Sequence, residues 1–379
     1  PTGDVERFPA LTQKFRTSTP GIYCVGDLTG IPLIKLAAES GHELIERFET
    51  DDAFQRERES KPDDDILDLL IVGAGPSGMS AGLHARKQGY SFLIIESARV
   101  FSTIKNFPRG KPIYVTPPDP PMQSDLTFSD GTKETLLDEL HGAVQGRDLP
   151  VHEEERVQDI TREGGVFRVK TAAAEYRALR VIVAIGKTGN PRRLNVPGED
   201  KDKVYTRLID PGEHRDEDIL VVGGGDSALE AAVALADTGN RVTLSYRRAS
   251  FSRPKEHNLA AFNERVEQGT ITPIFESNLK AIGDGDVTLA TGDGAKTIPN
   301  DSVYTLLGTE LPTQFFRRAG IRMEGEKRLP DFIACALLVL FASVLYFGKK
   351  APITPANSIG EFLAIPAALA GQPWNAFLK

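Results

Sequence analysis

Cysteine is scarce in this chain of 379 residues, which has only Cys24 and Cys335. Two cysteines so far apart in sequence predict no CxxC dithiol, no iron–sulfur cluster and no metal site. An excess of positive charge is also lacking, because 53 acidic residues face 45 basic ones and the formal net charge is −8. That balance argues against a general nucleic-acid binder, which needs a basic surface for phosphate contacts. No basic and then apolar stretch follows Pro1, so no signal peptide is expected.

Long apolar runs are rare, and the exception lies near the end of the chain. Residues 332–348 (FIACALLVLFASVLYFG) contain no charged residue. As a helix the run would measure roughly 25 Å, slightly short of a hydrocarbon core. We predict a transmembrane helix here, with a buried core helix as the alternative. Basic residues on both sides of the run leave its orientation open.

Two glycine-rich turns stand in the body of the chain. Residues 73–78 read GAGPSG after the apolar run 69–72, and residues 223–228 read GGGDSA after the apolar run 219–222. A strand that passes through such a turn into a helix presents backbone N–H groups and a helix N-terminus to a pyrophosphate. We therefore predict two dinucleotide sites, the alternative being glycine-rich turns without a ligand. The candidate turn residues are Gly73, Gly75, Pro76, Ser77 and Gly78 in the first site and Gly223, Gly225, Asp226, Ser227 and Ala228 in the second.

The residues that follow the next strand distinguish the two sites. Glu96 comes directly after strand 91–95, where a carboxylate can accept hydrogen bonds from ribose hydroxyls. Arg247 and Arg248 come directly after strand 242–246, and Arg253 is nearby. Guanidinium groups pair with the 2′-phosphate of NADP, which a carboxylate would repel. The second site is therefore predicted to prefer NADPH, the alternative being a solvated basic loop.

These turns, the segment 246–251 (YRRASF) and the strand ends 183–186 and 306–308 resemble thioredoxin-reductase-like flavoproteins of the pyridine nucleotide-disulfide oxidoreductase superfamily. The resemblance implies an α/β fold with two Rossmann-like, three-layer ββα dinucleotide-binding domains. It also implies FAD at the first turn, with Gly186 among the FAD residues, and NADPH at the second. The flavin then carries the chemistry, so no catalytic side chain is nominated. A homodimer is a separate prediction.

One motif is out of order with respect to that family. Residues 17–27 (TSTPGIYCVGD) lie near the start of this chain, whereas the resemblance implies a place after residue 312. Either the module is circularly permuted, or residues 1–48 end a preceding module. We favour permutation, because the FAD site would otherwise lack its wall near the flavin, and domain termini commonly lie close together. By resemblance, Asp27 contacts the ribityl chain, Gly26 is among the cofactor-binding residues, and the backbone near Lys35 faces the flavin at a helix N-terminus.

The predicted organisation follows from these motifs. Its segments are a permuted FAD segment (1–48), a solvated linker (49–65), the FAD domain (66–190), the NADPH domain (191–300), a return to the FAD domain (301–329), the apolar helix (332–348) and a tail (349–379).

Residues 204–210 stand where disulfide-reducing relatives carry a CxxC, and they contain no cysteine. Cys24 is expected to be a buried core residue rather than a nucleophile. We predict an FAD-dependent NADPH oxidoreductase with a small-molecule or redox-protein acceptor. It is expected at the cytoplasmic face of a membrane, with a cytoplasmic location as the alternative. The alternatives are a low-molecular-weight disulfide reductase or ferredoxin reductase-like enzyme, a nucleotide-binding sensor or membrane-complex subunit with little turnover, and a flavin monooxygenase.

Overall fold

The computed structural model describes residues 7–12, 15–187, 191–326 and 329–348. The chain divides into two compact units, the first ending at residue 324 and the second beginning at residue 325. The elements that precede the second glycine turn are β1 (Ile22–Cys24), α1 (Ile34–Glu49), α2 (Asp52–Glu59), β2 (Ile66–Val72), α3 (Pro76–Lys87), β3 (Phe92–Ile95), α4 (Ser102–Lys105), β4 (Pro112–Ile113), β5 (Gly131–Thr132), α5 (Lys133–Val144), β6 (Val151–His152), β7 (Asp159–Glu163), β8 (Val166–Lys170), β9 (Glu175–Val183), β10 (Val204–Tyr205) and β11 (Asp218–Val222). Those that follow it are α6 (Asp226–Asp237), β12 (Arg241–Ser245), α7 (Glu256–Glu267), β13 (Ile271–Ile274), β14 (Asn278–Ile282), β15 (Asp286–Thr291), β16 (Gly294–Pro299), β17 (Ser302–Thr305), α8 (Thr313–Arg318) and, in the second unit, α9 (Leu329–Gly348).

The first sheet combines strands from both sides of the first glycine turn with a strand from the start of the chain. β2 pairs in parallel with β3 and with β9, and β6 extends the sheet beyond β3. β1 pairs in parallel with the last part of β9, where Ile22 lies opposite Val181 and Cys24 opposite Val183. The antiparallel strands β8 and β7 continue the sheet from the first part of β9. The strand that precedes Gly26 and Asp27, here called the Gly-Asp segment, therefore belongs to the same sheet as the strand before the first glycine turn.

The side chains of β2 alternate between two cores. Leu69 and Ile71 belong to the cluster that includes residues of α1 and α3, such as Phe48. Leu70 and Val72 belong to the cluster that includes Phe316 of α8. A parallel strand that is buried on both faces reads as a continuous apolar run, which is the pattern that predicted this strand.

The second half of the first unit contains a parallel sheet in the order β10-β17-β11-β12-β13. Leu229 of α6 and Phe262 of α7 pack in the cluster on one of its faces. On the other face, Val287 of the antiparallel sheet β14-β15-β16 packs with Leu220 and Val303. The mixed α/β class predicted from the sequence is confirmed by this architecture.

Residues 49–65 differ from the solvated linker that their charges predicted, because they contain α2. Asp51 caps this helix by accepting hydrogen bonds from the backbone N–H groups of Ala53 and Phe54 at 3.1 and 3.2 Å. The Phe54 ring is fully buried between those of Phe48 and Tyr90. The burial of Phe54 and the cap provided by Asp51 thus stabilise a helix in a charge-rich stretch.

The first described residues run beside the end of the first unit. The Ala10 N–H donates to the Arg322 carbonyl at 2.7 Å, and the Glu324 N–H donates to the Phe8 carbonyl at 2.7 Å. The Ser18 hydroxyl accepts a hydrogen bond from the Arg322 N–H at 2.9 Å. These bonds connect residues that are about 300 positions apart in sequence, at the two ends of the unit.

The predicted apolar helix corresponds to α9 of the second unit. Within the part of the chain that the structure describes, no helix combines the length and the apolar character needed to cross a membrane. The transmembrane prediction is therefore not confirmed. The predicted tail, 349–379, lies outside the described residues.

Candidate nucleotide-binding sites

The first glycine turn is shaped by two close backbone contacts and one open position. A Cβ atom on Gly73, whose φ is +109°, would lie 2.4 Å from the Ala184 carbonyl oxygen. A Cβ on Gly78 would lie 1.9 Å from the Gly73 carbonyl oxygen, so both positions exclude a side chain. A Cβ on Gly75 would meet nothing within 4 Å. The turn is thus closely packed against the protein and open at Gly75, where a pyrophosphate would approach the start of α3.

Glu96 was predicted to accept hydrogen bonds from a ribose. In the structure its carboxylate stabilises the first glycine turn and the residues that follow β3. Its Oε2 atom accepts a hydrogen bond from the Ala74 N–H, and its Oε1 atom accepts one from the Ala98 N–H, both at 2.8 Å. The residue is only 8% exposed. Each carboxylate oxygen can accept more than one hydrogen bond, so the ribose role stays open as a prediction.

The Gly-Asp segment lies against the first turn. Gly26 has φ +72°, and a Cβ there would lie 2.6 Å from the Ser77 hydroxyl oxygen. The Gly26 N–H donates to the Ser40 hydroxyl at 2.9 Å, and the Val25 N–H donates to the Val183 carbonyl at 3.1 Å. The structure therefore brings residues 26 and 27 next to the turn 73–78.

Asp27 is half-buried beside this turn. Burial raises the pKa of its carboxyl group, and the nearby Lys187 ammonium offsets part of that effect. A half-buried carboxylate with open acceptor positions is suited to the hydroxyl groups of a ribityl chain. Its binding role stays a prediction, as do those of the other site residues.

The α1 helix begins at Ile34 without a side-chain cap, so its first N–H groups are available to a ligand. Lys35 in its first turn is buried, and its Nζ atom donates to the carbonyl oxygens of Pro117, Pro118 and Pro120. The side chain thus anchors the proline-rich loop. The predicted flavin contact concerned the backbone at this position.

The end of β9 supplies a further open position. Gly186 has φ +60°, and a Cβ there would meet nothing within 4 Å. It lies two residues after Ala184, whose carbonyl oxygen closely approaches Gly73. Residues 188–190, which end the predicted FAD domain, lie outside the described residues.

The second glycine turn repeats this geometry. A Cβ on Gly223, whose φ is +152°, would lie 2.4 Å from the Leu306 carbonyl oxygen, whereas a Cβ on Gly225 would meet nothing within 4 Å. Ala228 is buried beside Gly223, and Ser227 is exposed. The sequence did not indicate the role of Gly224, where a Cβ would lie 2.2 Å from the Tyr246 ring.

The three predicted arginines lie in the exposed loop between β12 and α7. The Arg248 guanidinium donates to the Ser252 hydroxyl at 3.3 Å. Among the described residues, Arg247 and Arg253 have no hydrogen-bond or ion-pair partner on their side chains. Three guanidinium groups with free donors therefore stand where a 2′-phosphate would be recognised.

This loop is held by contacts that the sequence did not reveal. The Tyr246 and Phe251 rings stack with centroids 5.2 Å apart, and Phe251 meets Phe262 edge-on. Asp226, predicted to bind the cofactor, accepts hydrogen bonds through Oδ1 from the Lys255 N–H at 2.8 Å and from the Asn258 side chain at 2.7 Å. The YRRASF pattern indicated the aromatic contacts in part. The hydrogen bonds of Asp226 could not be predicted, because Lys255 and Asn258 are far from it in sequence.

The two cysteines belong to different units of the chain. Cys24 is fully buried in β1, and burial raises the pKa of its thiol. Cys335 belongs to the second unit. Among the described residues no group of His, Cys, Asp and Glu could hold a metal ion.

Related proteins cover most of this chain. A ferredoxin–NADP reductase of Ignicoccus hospitalis is 31% identical over 275 residues, which span 70% of this chain and 85% of that protein. The bacilliredoxin reductase Bdr of Bacillus subtilis is 28% identical over 269 residues, spanning 69% and 83%. Among solved structures, the bacillithiol disulfide reductase Bdr of Staphylococcus aureus matches with a TM-score of 0.62 and 26% identity, over 69% of this chain and 82% of that one.

Residues 70–332 match the family model described as pyridine nucleotide-disulphide oxidoreductase, which leaves β1 and α1 outside the match. Members of this family are FAD-binding, NADPH-dependent reductases, so the predicted enzyme class and the two predicted cofactors are confirmed. The chain belongs to the pyridine nucleotide-disulphide oxidoreductase family.

Proposed function

We propose that this protein takes electrons from NADPH and delivers them to an acceptor without the help of an enzyme dithiol. The observation that carries the proposal is the contrast between the two turns. At the first turn, the carboxylate of Glu96 follows the next strand and is bonded to the Ala74 N–H. At the second turn, the exposed Arg247 and Arg248 follow the next strand. This contrast supports FAD at the first turn and NADPH, recognised through its 2′-phosphate, at the second.

The chain's own residues bind and orient the cofactors. The open positions at Gly75 and Gly225 admit a pyrophosphate at the N-termini of α3 and α6. The free N-terminus of α1 provides a partial positive charge beside the half-buried Asp27. When bound, FAD would accept a hydride from NADPH and supply the electrons that leave the enzyme.

The acceptor is best matched by a redox protein or a small molecule that reacts with the flavin directly. Disulfide reduction through an enzyme thiolate needs a reactive cysteine, and Cys24 is buried with a raised thiol pKa. Ferredoxin is the acceptor named for the relative at 31% identity. A low-molecular-weight disulfide, reduced without an enzyme thiol, is the second candidate, because the related Staphylococcus aureus structure at 26% identity is that of a bacillithiol disulfide reductase.

Steady-state and anaerobic kinetics of the FAD-loaded full chain test this proposal. NADPH should bleach the flavin absorbance, and an added dye should sustain NADPH oxidation. An enzyme that binds both nucleotides but does not turn over with any dye, ferredoxin or disulfide would instead be a sensor or a subunit of a larger complex. Steady formation of hydroxylated products with oxygen would favour a monooxygenase.

The coenzyme assignment has its own test. The double variant Arg247→Ala/Arg248→Ala should raise KM for NADPH at least about tenfold, because two charge-assisted bonds to phosphate are lost, and should leave KM for NADH nearly unchanged. Lys280→Ala/Lys296→Ala is the matched control, because both lysines are exposed on the sheet β14-β15-β16. Equal losses with both coenzymes in the arginine variant would refute the 2′-phosphate role.

We infer as well that the first domain is circularly permuted. Support comes from β1, which occupies an edge of the first sheet, and from the hydrogen bonds that connect Ala10 and Phe8 with Arg322 and Glu324. A family-like order would join these two neighbouring segments directly.

The assembly and the location of the protein stay predictions. Sedimentation of the purified full chain would test the homodimer. Fractionation of expressing cells would test the predicted placement at the cytoplasmic face of a membrane, with recovery in the soluble fraction counting against it.

A further inference from the structure

Asp226 occupies a position where a negative charge is expected to be unfavourable. It is the first residue of α6, directly after Gly225, where the N-terminus of the helix would receive the pyrophosphate. A carboxylate is favoured by the helix dipole, but it also repels a phosphate bound at the same place. A stabilising role that offsets this repulsion is therefore expected from the contacts of Asp226.

The hydrogen bonds of Asp226 indicate that role. Its Oδ1 atom accepts from the Lys255 N–H at 2.8 Å and from the Asn258 Nδ2 atom at 2.7 Å. Asn258 also donates to Glu230 Oε1 at 3.1 Å, so the start of α7 is tied to α6 at two acidic side chains. Burial alone would raise the pKa of the Asp226 carboxyl group, but the hydrogen bonds outweigh burial and lower it. The residue is thus an anion that holds Lys255, the N-cap of α7.

Lys255 ends the loop that carries the arginines. The other end of the loop leaves β12 and is fixed by the stacking of Tyr246 on Phe251 and by the Arg248 carbonyl, which accepts a hydrogen bond from the Glu276 N–H at 3.2 Å. The exposed segment between these two anchors includes Ser252, which accepts from the Arg248 guanidinium, and Arg253. The position of this segment relative to the glycine turn therefore depends on the bond between Asp226 and Lys255.

We propose that Asp226 is a positioning residue for coenzyme selection, which holds the arginine loop (residues 246–255) at a set distance from the second glycine turn. The inference rests on the proposed use of NADPH at this site. It assigns Asp226 to the discrimination between NADPH and NADH rather than to direct contact with the cofactor. The 2′-phosphate and the pyrophosphate are both attached to the adenosine ribose of the coenzyme, which limits the distance between them, so a loop that shifts relative to the turn cannot bind both well.

The test is the ratio of kcat/KM for NADPH to kcat/KM for NADH, measured on the FAD-loaded full chain with a dye as acceptor. Asp226→Ala removes the acceptor and should lower the ratio about three- to tenfold, as expected for the loss of a net hydrogen bond. Asp226→Asn keeps an oxygen that can accept both bonds, and should retain most of the discrimination. Equal losses with both coenzymes, or a ratio that Asp226→Ala leaves unchanged, would overturn the proposal.

A variant at the donor provides an independent test if Asp226→Ala fails to fold. Lys255 has φ −66° and ψ 150°, which proline can adopt, so Lys255→Pro deletes the donating N–H with little change of backbone shape. It should lower the ratio as Asp226→Ala does, whereas Lys255→Ala, which keeps the N–H, should lower it less. An equal effect of the two Lys255 variants would show that the side chain matters and not the bond to Asp226.

The arginine double variant separates this inference from the function on which it rests. If Arg247→Ala/Arg248→Ala leaves the ratio unchanged, the loop does not recognise the 2′-phosphate and the coenzyme proposal itself fails. If that variant abolishes the discrimination and Asp226→Ala does not alter it, only the positioning role is refuted.

Discussion

Replacing Gly41 with alanine would place a methyl group between the two helices that frame the first nucleotide site. Gly41 lies in α1, and a Cβ atom there would be 2.0 Å from the Ser77 carbonyl oxygen in α3. An ordinary contact of this kind is at least 3.4 Å, and the obstructing atom belongs to the backbone of a helix. The helices would have to separate by over an ångström to accept the methyl group.

The cost of that separation can be compared with a matched substitution. Overpacking of a core costs about 1–3 kcal/mol, and replacing a helical glycine with alanine returns roughly 0.5–1 kcal/mol. Gly142, an exposed residue of α5 where a Cβ atom would meet nothing within 4 Å, should show the gain alone. Each kcal/mol corresponds to about 2–4 °C in Tm for a domain of 150–250 residues. Gly41→Ala should therefore melt several degrees below Gly142→Ala.

Thermal unfolding and the FAD content of the purified protein are the measurements. Gly41→Ala should also retain less FAD, because the spacing of α1 and α3 positions the Gly-Asp segment against the first turn. A Gly41→Ala protein that is as stable and as rich in FAD as Gly142→Ala would refute this packing, and with it the inclusion of the N-terminal segment in the FAD site.

Three further predictions concern single side chains. Cys24→Ser should keep NADPH-to-dye electron transfer largely intact, and loss of activity with FAD still bound would make Cys24 a mechanistic residue. Asp27→Ala should weaken FAD retention by about 1.5–3 kcal/mol if a ribityl hydroxyl loses its charged partner, whereas unchanged retention would remove Asp27 from the site. Burial and the adjacent His84 lower the pKa of His42. The unfolded chain therefore binds a proton at this residue more readily than the folded protein does. The contribution of neutral His42 to stability is present above pH 6.5 and is lost as the pH falls below that value. Urea unfolding between pH 5.5 and 7.5 should show stability rising with pH, with a flatter dependence in His42→Gln, and equal slopes in the two proteins would contradict this assignment.

The sequence predicted the two glycine turns because their requirements are local. Gly78 must lack a side chain because the carbonyl oxygen of Gly73, only five residues earlier, lies against it. The continuous apolar run of β2 likewise indicates a strand that is buried on both faces. The strand–turn–helix order then follows from the handedness and short connections of βαβ units.

Other features were not predictable, because their partners are distant in the chain. The carbonyl groups that bind Lys35 are more than eighty positions away, and Lys255 is twenty-nine positions from Asp226. The helix α2 was not predicted because the composition of this stretch is that of a solvated segment. The burial of a single side chain, Phe54, stabilises the helix. The transmembrane prediction rested on composition and length alone, and the structure does not support it.

The place of β1 in the first sheet has a consequence for the order in which the protein is made. The strand leaves the ribosome before its partner β9, which ends at Val183, so β1 has no edge to join until about 160 further residues have been synthesised. At about 5–20 residues per second this interval lasts roughly 8–30 s. During this time the core cluster that includes Leu44 and Phe48 lacks its β9 residues, Leu179 and Ile182. In exchange, the Gly-Asp segment is already present when β9 emerges, so the wall of the FAD site can close before the NADPH domain exists.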